Sequence, residues 1–184
     1  MIDLRPLQDG DADDLHRWRG EREVDLWSYD DPPLDRASHQ AWFARFAADP
    51  DRQGRIILWN GAPCGLVTLR GLSSPQRRAQ LGWYIGEAEA RGRGAGRAAH
   101  ALALDHAFGL GLRRVWSEVI AANETALKAQ LAAGFRREGY LRRHAWKYGE
   151  ARDVVVLGVL AEEWAARRTA LLGGLAASGL IAGS

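Results

Sequence analysis

The segment from Leu81 to Phe108 limits the fold more than any other part of the chain. An apolar strand pattern at its start runs into the glycine- and arginine-rich loop 91–96, and an amphipathic helix pattern follows directly. The next apolar run, 114–120, is typical of a buried strand. A strand, a helix and a second strand form a right-handed crossover between parallel neighbours. The pattern therefore predicts an α/β protein with at least one parallel strand pair.

The loop between this strand and helix has the composition of an anion-binding site. Gly94 and Gly96 lack side chains that would keep a ligand away from the backbone. The amides of residues 93–97 are expected to point together at an anion, with the positive end of the helix dipole behind them. Three arginines add charge that suits phosphate, namely Arg91, Arg93 and Arg97. The loop therefore predicts a diphosphate cradle made largely of main chain.

The spacing of the glycines narrows the choice of ligand. A P-loop needs a Gly-Lys pair, which the sequence lacks, and a dinucleotide fingerprint needs glycine where Arg97 stands. The remaining pattern, Arg91-x-x-Gly94-x-Gly96, resembles the coenzyme A loop of the GNAT superfamily of acetyl-CoA-dependent N-acyltransferases. A flexible loop rich in glycine and arginine is the alternative for an isolated match of this length.

A second block further along the chain has the same resemblance. Asn123 is predicted to cap a helix, and Gly134 is predicted to end it in a left-handed conformation. The string Glu118-Val119-x-x-x-Asn123, with Gly134-Phe135 after the helix, is similar to the second signature of the superfamily. Two ordered blocks at the spacing of the family support each other.

The resemblance implies a GNAT-like fold, in which a central mixed sheet splays apart between two parallel strands and is flanked by helices. Because the resemblance extends from about residue 2 to residue 164, we expect a single acetyltransferase domain over residues 1–164. Residues 165–184 are expected to contain the end of a C-terminal helix and a weakly structured tail, since glycines interrupt the last apolar tract.

Composition bounds the remaining classes of protein. The chain has 184 residues, of which 47% are hydrophobic, enough for one sizeable core. A formal net charge of +2 is too small to indicate binding to nucleic acid or to a membrane surface. One cysteine and five dispersed histidines predict neither an intrachain disulfide nor a metal cluster. The N-terminus has no apolar signal segment, so we expect a cytoplasmic protein, and assembly into a homodimer is left open.

By resemblance, acetyl-CoA is the co-substrate and no metal takes part. Its pantetheine arm is expected to lie between the two separating strands, at residues 83–86 and 118–120, with a backbone amide near Ile85 binding the thioester oxygen. The residues expected to bind the cofactor are Trp83, Tyr84, Ile85, Arg91, Gly92, Arg93, Gly94, Ala95, Gly96, Arg97 and Asn123.

Glu118 is the candidate catalytic base, because it matches a carboxylate used by ribosomal-protein N-terminal acetyltransferases of this superfamily. It would act on the ammonium through a water or by orienting the amine. A glutamate paired with a neighbouring arginine on a solvated strand face is the alternative. The family's usual leaving-group acid, a tyrosine, is replaced by Gln130, which cannot deliver a proton. Solvent or another hydroxyl would then protonate the thiolate, and the candidates are Tyr84, Tyr140 and Tyr148.

The acceptor site is expected in the N-terminal half and on a late strand. The pattern His39-x-x-Trp42-Phe43 is similar to that of amino-sugar N-acetyltransferases of pseudaminic-acid biosynthesis. It implies a UDP-linked amino sugar as the acceptor, held by aromatic side chains and an arginine. A protein N-terminus is the alternative acceptor, and a coenzyme A-binding protein without turnover is the alternative function. The residues expected to contact the acceptor are Trp18, Arg19, His39, Trp42 and Arg142, for which packing within the core is the competing role.

Overall fold

A mixed β-sheet with helices on both faces is the main feature of the computed structural model. The structure describes residues 1–29 and 35–183, and within them the sheet has seven strands in the order β1-β2-β3-β4-β5-β7-β6. The loop predicted by Pro32 and Pro33 lies outside these ranges. The strands are β1 (Ile2–Pro6), β2 (Arg52–Trp59), β3 (Ala62–Arg70), β4 (Arg78–Ile85), β5 (Arg114–Ile120), β6 (Arg136–Lys147) and β7 (Glu150–Leu160). The helices are α1 (Ala12–Gly20), α2 (Arg22–Asp25), α3 (Arg36–Ala48), α4 (Ala95–Gly109), α5 (Glu124–Ala133) and α6 (Ala161–Ala177).

The parallel strands β4 and β5 are paired only at their beginnings. Residues 78–80 of β4 lie opposite residues 114–116 of β5. Beyond this short ladder, β4 stays paired with β3 as far as Ile85, and β5 stays paired with β7 as far as Ile120. Each strand therefore remains in its own half of the sheet while the facing edges move apart. The predicted mixed sheet that splays between two parallel strands is confirmed.

Successive strand residues face two separate apolar clusters, because side chains alternate across a sheet. Ile57 and Val67 belong to the larger cluster, together with alanines of α4 whose small side chains allow the helix to approach closely. Ile56 and Leu66, one position earlier, belong to the smaller cluster under α1 and α3. The sheet is thus the middle layer, with α4, α5 and α6 on one face and α1 and α3 on the other.

Both predicted ends of α5 are confirmed. The side-chain oxygen of Asn123 accepts a hydrogen bond from the amide of Ala126 at 3.1 Å, which satisfies a donor that the helix itself leaves unpaired. Gly134 ends the helix with a φ of 112°, in the region where a side chain is unfavourable. These caps fix the direction of α5 relative to the end of β5.

The C-terminal segment is ordered further than the sequence predicted. Helix α6 continues to Ala177 across the two adjacent glycines, and Ile181 beyond it is 7% exposed. The carbonyl of Leu180 accepts a hydrogen bond from the amide of Ile2 at 2.6 Å. Packing against α4 and β1 compensates for the low helix propensity of glycine. The sequence alone therefore overestimates how strongly the two glycines interrupt the helix. Residues 165–184 were expected to hold the end of a helix and a weakly structured tail; the helix extends to Ala177, and Leu180 and Ile181 beyond it pack against the larger apolar cluster.

Candidate active site

A cleft of about 1310 Å³ occupies the space between the separated ends of β4 and β5. Its lining includes residues 80–85 of β4, residues 116–120 of β5, the beginning of α4 and the beginning of α5. Residues of α1, α2 and the segment after α2 also border it. The cleft is larger than the usual pocket for one drug-sized ligand.

The amino end of α4 opens into this cleft. Gly94 precedes the helix with a φ of 81° and lines the cleft. Ala95, Gly96 and Arg97 follow in the first turn, where backbone amides have no acceptor within the helix, and all three also line the cleft. The helix dipole adds partial positive charge at the same place. These amides and the Arg97 side chain have the chemistry that a diphosphate requires.

Protein side chains fill the space beside the two central glycines. A Cβ atom on Gly94 would lie 3.1 Å from Cδ1 of Leu180, and one on Gly96 would lie 3.0 Å from Cη2 of Trp83. This differs from the expected role, in which the missing side chains leave room for a ligand. Glycine is required here by the positive φ at Gly94 and by the close packing of β4 and the C-terminal segment on the loop.

Two of the three loop arginines bind protein groups. Nε of Arg91 donates to the carbonyl of Ile85 at 3.1 Å and Nη2 donates to that of Gly86 at 2.6 Å, which ties the loop to the end of β4. Nε of Arg93 donates to the carbonyl of Glu89 at 2.8 Å, and its guanidinium lies over a tryptophan ring outside the cleft lining. Arg91 therefore shapes the loop, and Arg93 is displaced from the expected phosphate site.

His100 holds the beginning of α4 against β4. Its ring meets the Trp83 ring edge-on, with 4.4 Å between centroids. Nδ1 of His100 donates to the carbonyl of Gly96 at 2.6 Å, since a carbonyl can only accept. Burial lowers the pKa of His100 to about 4, which keeps the ring neutral at pH 7. A neutral imidazole at this position supports the cradle through contacts and without charge.

Glu118 lines the cleft from β5 and interacts with Tyr29, which in turn contacts His144. Tyr29, after α2, and His144, in β6, also line the cleft. Burial and the neighbouring Glu118 carboxylate raise the pKa of the Tyr29 hydroxyl. The rings of Tyr29 and His144 meet edge to face, with 6.3 Å between centroids. A carboxylate, a phenol and an imidazole are thus gathered where β5 leaves β4.

Gln130 lies outside the cleft lining, beneath its wall. The side chain is fully buried, and Nε2 donates to Oγ of Ser117, which lines the cleft, at 2.9 Å. Of the three tyrosines considered as substitute acids, Tyr84 lines the cleft, and burial raises the pKa of its hydroxyl. The other two hydroxyls bind carboxylates outside the cleft lining: Tyr140 binds Asp153, and Tyr148 binds Asp25.

Of the five residues expected to contact an acceptor, two line the cleft and three lie outside its lining. Arg19 and Trp42 line the cleft. Trp18 is fully buried below it and donates from Nε1 to Glu87 at 2.9 Å. His39 is buried between the rings of His16 and Trp42, and burial lowers its pKa. Arg142 is exposed in a β6 bulge away from the lining.

Several lining residues had no sequence signal. They share no motif, and they come from several elements: Glu23, Ser28 and Tyr29 in or after α2, Thr68 and Arg70 in β3, Trp116 in β5, and His144 in β6. Within residues 1–29 and 35–183, no cluster of His, Cys, Asp and Glu suits a metal ion. No helix in those same ranges has both the length and the apolarity needed to cross a membrane.

Comparison with known sequences is consistent with this geometry. A family model described as an acetyltransferase (GNAT) domain matches residues 2–136. YdaF of Bacillus subtilis (strain 168), whose name marks it as a candidate ribosomal N-acetyltransferase, is 31% identical to the chain over 109 residues. The aligned part is 59% of this chain and 59% of that protein, so the match spans little more than half the length of this curated relative.

Solved structures share the fold. The spermidine N-acetyltransferase from Vibrio cholerae in complex with CoA and spermine has a TM-score of 0.83 at 23% identity, covering 89% of this chain and 98% of that one. A dodecameric structure of the Vibrio cholerae enzyme in an intermediate state has a TM-score of 0.78 at 24% identity, covering 90% and 97%. At these identities the likeness establishes the fold alone. Because the family model matches well over half of the sequence, including both motif blocks up to Gly134 and Phe135, this chain belongs to the GNAT acetyltransferase family.

Proposed function

We propose that this protein transfers an acetyl group from acetyl-CoA to a primary amine, directly and within a ternary complex. One observation carries the proposal: the parallel strands separate at the point where the first turn of α4 and the Glu118 side chain line a single cleft. A helix amino end supplies binding for an anionic cofactor, and a carboxylate supplies an acceptor for a proton. Family membership supports the same activity.

In the proposed complex, the diphosphate of acetyl-CoA lies on the amides of residues 95–97, with Arg97 beside it. The pantetheine arm lies between residues 83–86 of β4 and 118–120 of β5. A backbone amide near Ile85 polarises the thioester carbonyl, which would stabilise the oxyanion that forms on attack. The cofactor supplies the activated acetyl group, and the protein holds its carbonyl carbon within reach of the amine.

The substrate ammonium must lose a proton before its nitrogen can attack the thioester. Glu118 accepts that proton, directly or through a water, and the amine nitrogen then bonds to the carbonyl carbon. The carbon–sulfur bond breaks, the thiolate leaves with the electron pair, and the nitrogen releases its second proton to solvent as the amide forms. Gln130 is an amide buried behind the cleft wall and cannot deliver a proton, so the thiolate takes its proton from solvent or from the Tyr84 hydroxyl, which is the weaker donor because burial raises its pKa.

A UDP-linked amino sugar is our first candidate for the acceptor. Arg19 and Trp42 support it, since a guanidinium and an indole in the cleft suit a phosphate and a sugar ring. His39, Trp18 and Arg142 no longer add support, because they lie outside the lining. A protein N-terminus is the second candidate, favoured by the sequence match to YdaF. Cytoplasmic location and a homodimer remain predictions.

A mass-spectrometric assay tests both the activity and the acceptor. The purified protein is incubated with acetyl-CoA and a panel of UDP-linked amino sugars, N-terminal peptides of ribosomal proteins, and spermidine. We expect a mass gain of one acetyl group on a UDP-linked amino sugar. Acetylation of peptides or spermidine alone would replace the acceptor and keep the activity. Tight binding of acetyl-CoA with no acetylation of any amine would contradict the activity and favour a binding protein.

A further inference from the structure

A buried charged cluster joins helix α2 to the β6–β7 hairpin. The carboxylate of Asp25, at the end of α2, accepts a hydrogen bond from Nζ of Lys147 in β6 at 2.8 Å. The hydroxyl of Tyr148, in the β6–β7 turn, donates to the second oxygen of the same carboxylate. Asp25 is 4% exposed and Lys147 is 2% exposed. We call these three residues the Asp25 cluster.

Burying the charges of the Asp25 cluster costs free energy of desolvation. Removing an aspartate and a lysine from water costs free energy that their mutual attraction only partly returns, and apolar side chains of the same volume often stabilise a fold as well. What a buried ion pair adds is a defined register, because its hydrogen bonds have a fixed length and direction. The register fixed here is that of α2 against the β6–β7 hairpin.

Both elements that the Asp25 cluster joins contribute to the cleft. Residues on either side of Asp25 line it, among them Glu23 and Tyr29, and so does His144, three positions before Lys147. The ring contact between Tyr29 and His144 spans the same two elements. Tyr29 also interacts with the Glu118 carboxylate. The cluster itself is not part of the lining, so it can affect the cleft only through these neighbours.

We infer that Asp25 is a positioning residue for the amine acceptor: its cluster holds Tyr29 against Glu118, and Tyr29 and Glu118 together form the subsite for the amine. The inference rests on the proposed acetyl transfer. A phenol beside a carboxylate restricts the rotamers of both side chains, so the carboxylate meets the incoming ammonium in one orientation. Loss of the cluster then affects the amine and leaves the cofactor, which binds at α4, unaffected.

Asp25→Asn tests this role, with Asp11→Asn as its matched control. Asp11 is also a buried carboxylate held by a basic residue, since Arg5 donates to it at 2.8 Å, but it lies outside the cleft lining. Kinetics are measured with acetyl-CoA and whichever of the UDP-linked amino sugar, ribosomal peptide and spermidine reacts fastest. We expect Asp25→Asn to raise the amine KM and lower kcat/KM ~10-fold or more. We expect the acetyl-CoA Kd to stay unchanged, and Asp11→Asn to behave as the wild type.

Tyr148→Phe is a milder variant that removes one hydrogen bond of the cluster from an exposed side chain. If Asp25→Asn fails to fold, Tyr148→Phe still tests the positioning role, and it is expected to raise the amine KM by a smaller factor.

Combining Asp25→Asn with Tyr29→Phe tests whether Asp25 acts through Tyr29. If Asp25 acts through Tyr29, the double variant resembles the more impaired single variant. Multiplication of the two single effects would show that Asp25 does not act through Tyr29.

Hydrogen exchange separates failure of this inference from failure of the proposed function. Amides of residues 22–29 are expected to exchange faster in Asp25→Asn than in Asp11→Asn. If no amine in the panel is acetylated, the proposed function fails, and the exchange result still decides whether the cluster holds this segment. If an amine is acetylated and Asp25→Asn leaves its KM unchanged, the positioning role is wrong whatever the exchange result.

Discussion

At the scale of single residues, Glu118 has a near-isosteric replacement that isolates its chemistry. Glu118→Gln keeps the size of the side chain and removes its ability to accept a proton. We expect turnover to fall ~10²-fold, while calorimetry gives an unchanged Kd for acetyl-CoA. Glu138→Gln is the control, because the Glu138 carboxylate binds Arg114 at 2.6 Å outside the cleft lining. Turnover equal to the wild type at every pH would leave Glu118 with a structural role only.

His100 predicts a pH dependence of stability. Burial lowers its pKa in the folded protein from 6.5 to about 4, so the unfolded chain binds more protons between these two values. Stability is therefore complete above pH 6.5 and declines as the pH falls towards 4. At pH 5 the expected loss from this residue is roughly 2 kcal/mol. His39 and His106, whose pKa values are also lowered by burial, add losses of the same sign.

Urea unfolding at pH 7 and pH 5 measures this effect. His100→Phe retains a ring against Trp83 and cannot titrate, so the difference between the two pH values is expected to shrink by roughly 2 kcal/mol relative to the wild type. The carboxylates with lowered pKa values, such as Asp11, lose their contribution at a lower pH and do not disturb this comparison. An equal difference in both proteins would exclude His100 as the main titrating group.

Residue roles were predictable where they depend on neighbouring sequence. Asn123 and Gly134 were identified correctly because a helix cap involves only residues a few positions away. Trp18 and His39 were expected to contact the acceptor, and both are buried outside the cleft lining. The face that their helices, α1 and α3, turn to the cleft depends on how each helix packs against the sheet.

At the scale of elements, the first turn of α4 allows a matched test of cofactor binding. Arg97 lines the cleft, whereas the Arg93 side chain is held by Glu89 and a tryptophan ring. Arg97→Ala is expected to weaken acetyl-CoA binding about tenfold, the lower end for a charged hydrogen bond. Arg93→Ala is expected to leave the Kd nearly unchanged. Equal calorimetric effects of both substitutions would mean that Arg97 has no direct contact with the cofactor.

Gly94 is a less informative position for the same test. Its φ of 81° disfavours any side chain, and the added Cβ would press on Leu180. A substitution there would disturb α4 whether or not a phosphate binds. The element as a whole was predictable, because a strand, a glycine loop and a helix follow one another directly in the sequence. The partners of its arginines were not predictable, because the sequence indicated phosphate binding equally for Arg91 and Arg93.

At the scale of the whole molecule, the split sheet followed from the resemblance carried by two motif blocks, but the packing of α2 against the β6–β7 hairpin did not. The blocks place β4, α4, β5 and α5 in a fixed order, and the right-handed crossover leaves little choice of topology. The packing of α2 instead depends on Asp25 meeting Lys147, residues separated by most of the chain. Neither residue has a motif, and an aspartate and a lysine are ordinarily solvated. Contacts of this kind are determined only when the domain packs.

Leu180 links two regions that are far apart in the sequence. It packs beside the loop that precedes α4, and its carbonyl accepts a hydrogen bond from the amide of Ile2 in the first strand. Displacement of the segment after α6 would therefore disturb the edge strand β1 and the amino end of α4 together, so local opening of this segment couples one edge of the sheet to the loop before α4.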